Sequence, residues 1–324
     1  MKEAMYCSNH DGYVYCVLCP HYCKLPEGET GRCMARKNIG GKLYSLNYGK
    51  VTSYGFDPIE KKPLFHFYPG STVFSFGTFG CNFRCDFCQN WQIVEDSNLY
   101  VEMDNSQLLE LSSINGSIGI AYTYNEPSIF YEMVLDLAKE VHKIGKKNVI
   151  VTNGFLNREP MKELLPHIDA MNIDLKSMSR SYYATLCKGS LEPVLDTIKL
   201  VSGETHVEIT TLIIDGENST SEEMESLASF IGEIDRDIPL HLSRYFPHNR
   251  MNNPPTEIET LERLRNVAQK HLNYVYIGNV WGINNDTTCP SCKNILVRRF
   301  PETKMVGIEN GHCSNCGEKV SMVL

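Results

Sequence analysis

No apolar run in this chain of 324 residues approaches the ~18 residues that a membrane-spanning helix needs. The opening stretch, "MKEAMYCSNHDGYVYC", lacks both the basic start and the apolar core of a secretory leader. Basic residues are too few for a general nucleic-acid footprint, since 31 Lys and Arg stand against 39 Asp and Glu and the formal charge is −8. Internal repeats and low-complexity tracts are lacking too. These absences lead us to expect a cytoplasmic protein in a reducing compartment, with no membrane partner and nucleic acid disfavoured. The apolar fraction of 42% and charged fraction of 22% are ordinary for a chain that buries a core. The length suits one large α/β domain with small appendages.

What the sequence does have is cysteine, 13 in all. Disulfides are the wrong explanation in a reducing compartment. Cys16, Cys19, Cys23 and Cys33 form one group, Cys81, Cys85 and Cys88 a second, and Cys289, Cys292, Cys313 and Cys316 a third, with Cys7 and Cys187 alone. Cysteines grouped at short spacing read as metal ligands.

Three segments follow from the patterning. Residues 1–70, rich in Cys, Gly and Tyr, carry short alternating runs such as "GKLYSLNYGKVTSYG" and read as a Cys-rich β module. Residues 71–283 alternate apolar strands with amphipathic helices. Strands are expected at 72–77, 117–122, 147–152, 169–175, 206–214 and 239–245, with 274–279 as a candidate seventh. In "PSIFYEMVLDLAKEVHKIG", Pro127 starts a helix, Ile129, Met133, Leu137 and Val141 run down one face, and Gly145 stops it. "STSEEMESLASFIGEI" and "TEIETLERLRNVAQKHL" repeat that design. Such alternation predicts a parallel sheet with helices outside, open or closed into a barrel. Residues 284–324 form a third, cysteine-bearing unit.

The stretch "SFGTFGCNFRCDFCQNWQI" (75–93) follows the first of these strands and supplies only three thiols. Chemistry in parallel α/β proteins sits at the C-terminal ends of strands. Three thiolates hold three corners of a [4Fe–4S] cube and leave the fourth iron open, whereas ferredoxin-type clusters take four cysteines. An open iron beside aromatic residues suits S-adenosylmethionine (SAM), which offers a chelating amine and carboxylate plus a flat base. One electron from the cluster then cleaves the sulfonium to a 5′-deoxyadenosyl radical, the cofactor supplying the hard chemistry. The electron donor is expected to be of flavodoxin or ferredoxin type. The bland alternative is a zinc site that borrows a distant fourth ligand.

Cys81-x3-Cys85-x2-Cys88, with an aromatic just before the last cysteine, resembles the radical SAM superfamily motif. With "CVLCPHYCKLPEGETGRCMARKN", "DPIEKKPLFHFYPGS", "AYTYNEPSIFYE", "HLSRYFPHNRM", "YVYIGNV" and the "CPSC…CSNC" tail, nearly the whole chain resembles the AmmeMemoRadiSam-system radical SAM enzymes. That family is related to the pyruvate formate-lyase activating enzymes. The resemblance implies a partial (β/α)6 TIM-like barrel and work alongside Memo-like and AMMECR-like proteins; it names no substrate.

Site residues carried over by the resemblance are few. Glu126 of "YTYNEP" would accept hydrogen bonds from the methionyl ammonium, with Tyr124-Asn125 where the superfamily has Gly-Gly; its bland reading is a helix-start carboxylate. Thr152, Asn153 and Gly154 of "VTNGF" would meet the ribose and methionyl groups, against an ordinary left-handed turn. Asp174 and Lys176 of "NIDLK" would face the mouth, or form a buried pair. Phe87 and Trp91 would flank the adenine, or pack in the core.

Cys289-x2-Cys292 and Cys313-x2-Cys316 have zinc-ribbon spacing, and a metal staple explains how forty residues fold; rubredoxin-type iron uses the same arrangement. Cys16, Cys19, Cys23 and Cys33 suit structural zinc or an auxiliary iron–sulfur cluster, with Cys7, His10 and His21 as alternative ligands. Cys187 is a candidate catalytic thiol that gives or takes a hydrogen atom, against a buried structural cysteine. Asp57, Glu60, Lys61 and Lys62 read as a solvated turn or a substrate lid, and His241, Ser243, Arg244 and His248 as a substrate-binding strand end. Three functions compete: a radical SAM enzyme on an unidentified substrate, an activase that plants a glycyl radical, and a non-catalytic metal-binding scaffold. The last predicts a degraded cysteine loop, and this loop is complete.

Overall fold

The structure is a computed structural model that describes residues 1–324 except 97 and 115. One eight-stranded sheet organises it: β1 (Ser53–Pro58), β2 (Thr72–Gly77), β3 (Gly119–Tyr122), β4 (Lys147–Thr152), β5 (Ala170–Asp174), β6 (His206–Ile213), β7 (Leu240–Arg244) and β8 (Val275–Gly278). The strands lie side by side in chain order, β1 antiparallel to β2 and every later pair parallel. Among the described residues β1 and β8 do not pair, so hydrogen bonding leaves the sheet open. All seven expected strands are present, each within two residues of its expected bounds, and the candidate seventh is β8.

From β3 onward the main helix of each crossover is, in turn, α1 (Tyr131–Lys143), α2 (Arg158–Leu164), α3 (Glu192–Val201), α4 (Ser221–Ile234) and α5 (Ile258–Ala268), while short helices Trp91–Glu95 and Asn105–Leu111 lie between β2 and β3. Pro127 opens a 3-10 turn, Pro127–Phe130, that runs into α1, and Gly145 takes the left-handed conformation just beyond it. Ile129, Met133, Leu137 and Val141 are buried, as their spacing predicts. Each such side chain contributes roughly 1.5–3 kcal/mol of transfer free energy. Thr220 caps α4 by accepting from Glu223 N, the device its sequence advertises.

The N-terminal residues form two small sheets, Lys2–Glu3 with Lys42–Ser45 and Arg36–Ile39, and Cys7–His10 with Tyr13–Cys16 and Lys24–Leu25. Their apolar residues share one continuous core with the large sheet. The expected boundary at residue 70 falls inside a β-hairpin, because β1 pairs along its whole length with β2. The last forty residues pair Thr287–Thr288, Ile295–Arg298 and Lys304–Met305, add a hairpin of Ile308–Glu309 and His312–Cys313, and have a separate small core around Leu296, Val297 and Val320. They dock on the 65–68 segment, where Val323 N donates to His66 O (2.8 Å) and Arg299 Nη2 to Phe65 O (2.8 Å).

Glu208 of β6 holds that docking segment. Its fully buried carboxylate accepts from Phe65 N (2.9 Å), His66 N (2.6 Å), His206 Nε2 (3.0 Å) and His241 Nε2 (2.6 Å). His241 is therefore engaged inside the sheet and does not reach a substrate, which corrects the reading of the "HLSRYFPHNR" strand end. Ser243 accepts from Asn279 and Arg244 donates to Thr256 O. In "DPIEKK", Lys62 is buried beside Asp57 (2.7 Å), and Tyr124 donates to the same carboxylate at 3.0 Å.

Candidate active site

The three-cysteine loop leaves β2 at its C-terminal end, as expected for a parallel sheet. Asn125, one residue before Glu126, pins its base: the amide donates to Gly80 O (2.9 Å) and Thr78 Oγ1 (3.1 Å), and accepts from Thr78 N (2.9 Å). That is what this chain does with the position where Gly-Gly was expected. Further along, Asn82 donates to Phe155 O (2.8 Å) and Arg84 N donates to Cys187 O (3.0 Å). Asn249 holds Cys85 O at 3.1 Å from the far side.

These anchors turn Cys81, Cys85 and Cys88 toward one pocket, whose wall also includes Trp91, Asn249 and Arg250. Burial pushes the Cys88 thiol up to about 11, and burial with Glu126 and Cys85 nearby raises Cys81 further. As free thiols they are neutral; a bound cation reverses that balance. The donor set fits a [4Fe–4S] cluster: three soft ligands from one loop face one pocket, and no fourth cysteine lines it.

Glu126, Thr152 and Asn153 are brought together beside that pocket. Glu126 Oε1 accepts from Thr152 Oγ1 (2.7 Å) and Ser128 N (3.0 Å), and Oε2 from Asn153 N (2.8 Å). Burial raises the Glu126 pKa against these donors, which favour the carboxylate. Asn153 Nδ2 bonds Asn82 Oδ1 (2.8 Å) and lies 3.8 Å from Cys81 Sγ. Gly154 has φ +71°, and its N–H donates to Thr152 Oγ1 (3.1 Å). Thus Glu126, the "TNG" turn and Cys81 form one bonded unit.

Other expectations move. Phe87 is buried with its ring 5.9 Å from that of Tyr182, so it packs in the core; Phe83 and Trp91 are the aromatics on the pocket wall. Asp174 pairs with Lys176 at 2.8 Å, and the Lys176 ammonium lies 5.8 Å over the Phe87 ring. Burial opposes the Lys176 charge, but Asp174, Cys85 and Cys187 outweigh it and hold its pKa well above the usual lysine value. Cys187 is fully buried against the Cys85 thiol, a place that supports the loop and gives it no open route to a substrate. Asn82 and Arg250 were not singled out beforehand, and Asn125 was noted only as a departure from Gly-Gly. Asn82 adjoins Cys81, a weak signal, and Arg250 arrives from a distant loop with none.

At the other end, all four sulfurs of Cys289, Cys292, Cys313 and Cys316 lie within 4.8 Å of one another, with Cys289–Cys316 and Cys292–Cys313 both at 3.6 Å. Each Cys-x2-Cys turn closes the same way, Lys293 N on Cys289 O and Gly317 N on Cys313 O (both 2.9 Å), with Lys293 and Gly317 left-handed. This four-cysteine group can hold a metal ion. No helix among the described residues is long and apolar enough to cross a membrane.

Comparison with known proteins agrees with this geometry. The chain is 43% identical over its whole length to an uncharacterized protein of Methanocaldococcus jannaschii, itself covered completely. It is 24% identical over 211 residues, 61% of this chain and 77% of the other, to a protein of the same organism provisionally named as a glycyl-radical enzyme activating enzyme. Among solved structures, SuiB of Streptococcus suis bound to S-adenosylmethionine superposes with a TM-score of 0.51 at 15% identity, covering 64% of this chain and 51% of that one, which is a likeness of fold. The model of the Radical SAM superfamily matches residues 76–231, the span that holds the cysteine loop, Glu126 and the "TNG" turn, so this chain carries a radical SAM domain over those residues.

Proposed function

We propose that this protein cleaves S-adenosylmethionine reductively and uses the product to take a hydrogen atom from a substrate not yet identified. The observation that carries this reading is the convergence of three thiols on one pocket with Glu126 and Asn153 bonded alongside. When bound, the cluster would supply one electron to the SAM sulfonium, giving methionine and a 5′-deoxyadenosyl radical. Cys81, Cys85 and Cys88 would hold that cluster. Glu126 would accept a charge-assisted hydrogen bond from the methionyl ammonium, using the free lone pairs of Oε2. The turn at Thr152, Asn153 and Gly154 would present backbone and amide groups to the ribose and carboxylate, and Trp91, of the two aromatics expected beside the adenine, would be the one to stack on it. We read the open sheet as a partial barrel around the substrate, and the C-terminal ion as zinc. One zinc with ~2.3 Å bonds sets its sulfurs about 3.8 Å apart. Memo-like and AMMECR-like proteins as partners, and a flavodoxin- or ferredoxin-type donor, belong to the same proposal.

The test is anaerobic incubation of reconstituted protein with SAM and dithionite, followed by assay for 5′-deoxyadenosine. The wild type should form it and the Cys81→Ala/Cys85→Ala/Cys88→Ala variant should not; equal formation by both defeats the reading. Glu126→Ala should weaken SAM binding by ~1.5–3 kcal/mol, roughly 10- to 150-fold, with the cluster's absorbance unchanged and Glu126→Gln milder. Wild-type affinity in Glu126→Ala would remove Glu126 from the site.

A second reading, activation of a glycyl-radical enzyme, is favoured by the relative named for that activity. It predicts a glycyl-radical EPR doublet on a partner protein. The N-terminal module weighs against it, because it packs on the cysteine loop where a partner's loop would enter.

A further inference from the structure

Cys16, Cys19, Cys23 and Cys33, spread over eighteen positions of sequence, line one pocket together with His21, Gly31 and Arg36. Cys16, Cys19 and Cys33 are buried and Cys23 half-buried. A Cβ on Gly31 would stand 3.7 Å from Cys23 Sγ and 3.8 Å from Cys33 Sγ, ordinary contact distances that place Gly31 directly against both sulfurs.

Size separates the two groups such a pocket could take. Around one zinc, four sulfurs sit about 3.8 Å apart. Among the described residues, only the C-terminal four are gathered within 4.8 Å; no three of the N-terminal thiols are. The Cys81 triad is not gathered within that limit either. Thiolates on an iron–sulfur cube stand farther apart than on one ion because each binds a different iron.

Arg36 supplies a second, independent observation. It is 1% exposed; its Nη2 donates to Glu132 Oε1 (2.8 Å) and Met5 O (2.5 Å). Its Nε–H has no acceptor, although the side chain lines the pocket. A buried donor left unpaired costs about 1–3 kcal/mol and is rare in native proteins. A cube offers inorganic sulfides as acceptors in addition to its thiolates, and such hydrogen bonds tune its potential.

The pocket also adjoins the triad. Cys81 N donates to Cys33 O (3.2 Å), His21 Nε2 bonds Asn82 O (2.7 Å), and Arg84 Nη2 donates to Arg32 O (2.6 Å). Gly80, with φ +87°, has room for no side chain: a Cβ would lie 2.4 Å from Cys33 O.

We propose that Cys16, Cys19, Cys23 and Cys33 hold a second [4Fe–4S] cluster that relays electrons to the Cys81 triad through the Cys33–Cys81 contact. In the relay one electron leaves the second cluster, which goes from the 1+ to the 2+ state. The triad's cluster takes it up, going from 2+ to 1+, and a low-potential flavin or iron–sulfur carrier protein re-reduces the second cluster. The relay rests on the SAM reading; the cluster itself does not.

The decisive protein is the full-length Cys81→Ala/Cys85→Ala/Cys88→Ala variant, reconstituted anaerobically with iron and sulfide. It should retain about four irons and four sulfides per chain with the Mössbauer signature of a [4Fe–4S] cluster, and about one zinc. Two zincs and no iron, or a single rubredoxin-like iron, overturns the proposal. If that variant does not fold, the wild type decides: about eight irons and one zinc support the cluster, about four irons and two zincs defeat it. Cys16→Ser in the wild type should lose about half the iron, and unchanged iron would again refute it. A wild type with eight irons that makes no 5′-deoxyadenosine would sink the SAM reading and leave this site standing.

Discussion

Two sets of four cysteines bracket this chain, with the same ligand atoms and similar short spacings, yet their surroundings differ in every respect that matters to a metal. The C-terminal set sits on two matched turns, its sulfurs paired at 3.6 Å, over a core of five buried residues. The N-terminal set is spread wider, is sunk in the main core, and has a buried arginine with an unpaired donor in its wall. One set lies within the segment it would staple. The other shares a hydrogen bond with the Cys81 loop. Donor type alone does not assign a metal; spread, burial and the partners of nearby polar groups do.

If that contrast is right, metal removal should act very differently at the two ends. The C-terminal core is too small to hold residues 284–324 folded by itself. Structural zinc contributes on the order of 10 kcal/mol to such small units. Cys289→Ala/Cys292→Ala should therefore unfold the tail while the rest stays intact, read as rapid proteolysis confined to the last forty residues. Protection equal to wild type would mean that docking on the 65–68 segment, and not the ion, holds the tail.

The next largest effect concerns that docking segment. Glu208→Ala leaves two backbone amides and two imidazoles without their acceptor, and breaking a buried pair of this kind costs about 3–5 kcal/mol. Burial by itself would raise the Glu208 pKa, but His206 and His241 outweigh it and hold it well below the usual carboxylate value. A depressed folded pKa means the contribution is whole above the unfolded value of 4.5 and is lost as pH falls through the folded one. His66 acts earlier. Burial pushes it down to about 3, so below 6.5 the unfolded chain binds a proton that the folded chain refuses. Stability should fall from pH 6.5 downward, with a slope of up to about 1.4 kcal/mol per pH unit from this histidine. Denaturant unfolding at pH 7 and pH 5 tests it; equal midpoints would contradict the burial of neutral His66.

Local pattern carried much of this molecule and long-range pairing carried the rest. The seven parallel strands, α1 with Pro127 and Gly145, and the two Cys-x2-Cys turns were legible because periodicity and turn chemistry are local. The place of strand β1 was not, since its start lies in the alternating run read as part of the N-terminal module, and only its pairing with β2 puts it at the edge of the large sheet. His241 sits on the inward face by alternation, but only the β6–β7 pairing, which sets Thr210 opposite His241, brings Glu208 two residues along the neighbouring strand within reach of its ring. Of the pair expected either beside the adenine or in the core, Phe87 turned into the core and Trp91 onto the pocket wall, because spacing along a loop does not say which side chain turns inward. Arg36 and Glu132, 96 residues apart, carry no sequence signal at all.

The smallest expected effect is a control that sharpens the comparison most. Cys7 faces Cys16 across a pair of antiparallel strands, so by register alone it is a rival ligand for the N-terminal site. Its side chain is exposed, however; the thiol lies 3.6 Å from Ala4 O and is not part of the pocket wall. Directly opposed residues on a strand pair share a face of their sheet, yet Cys16 is buried and Cys7 is not, so the sheet edge curls away between them. Cys7→Ser should therefore leave iron and zinc contents at wild-type values and stability within about 0.5 kcal/mol. Cys16→Ser, one strand away, should remove half the iron. Equal iron loss from both substitutions would show that the N-terminal group draws on Cys7 and that the four-cysteine pocket is drawn in the wrong place.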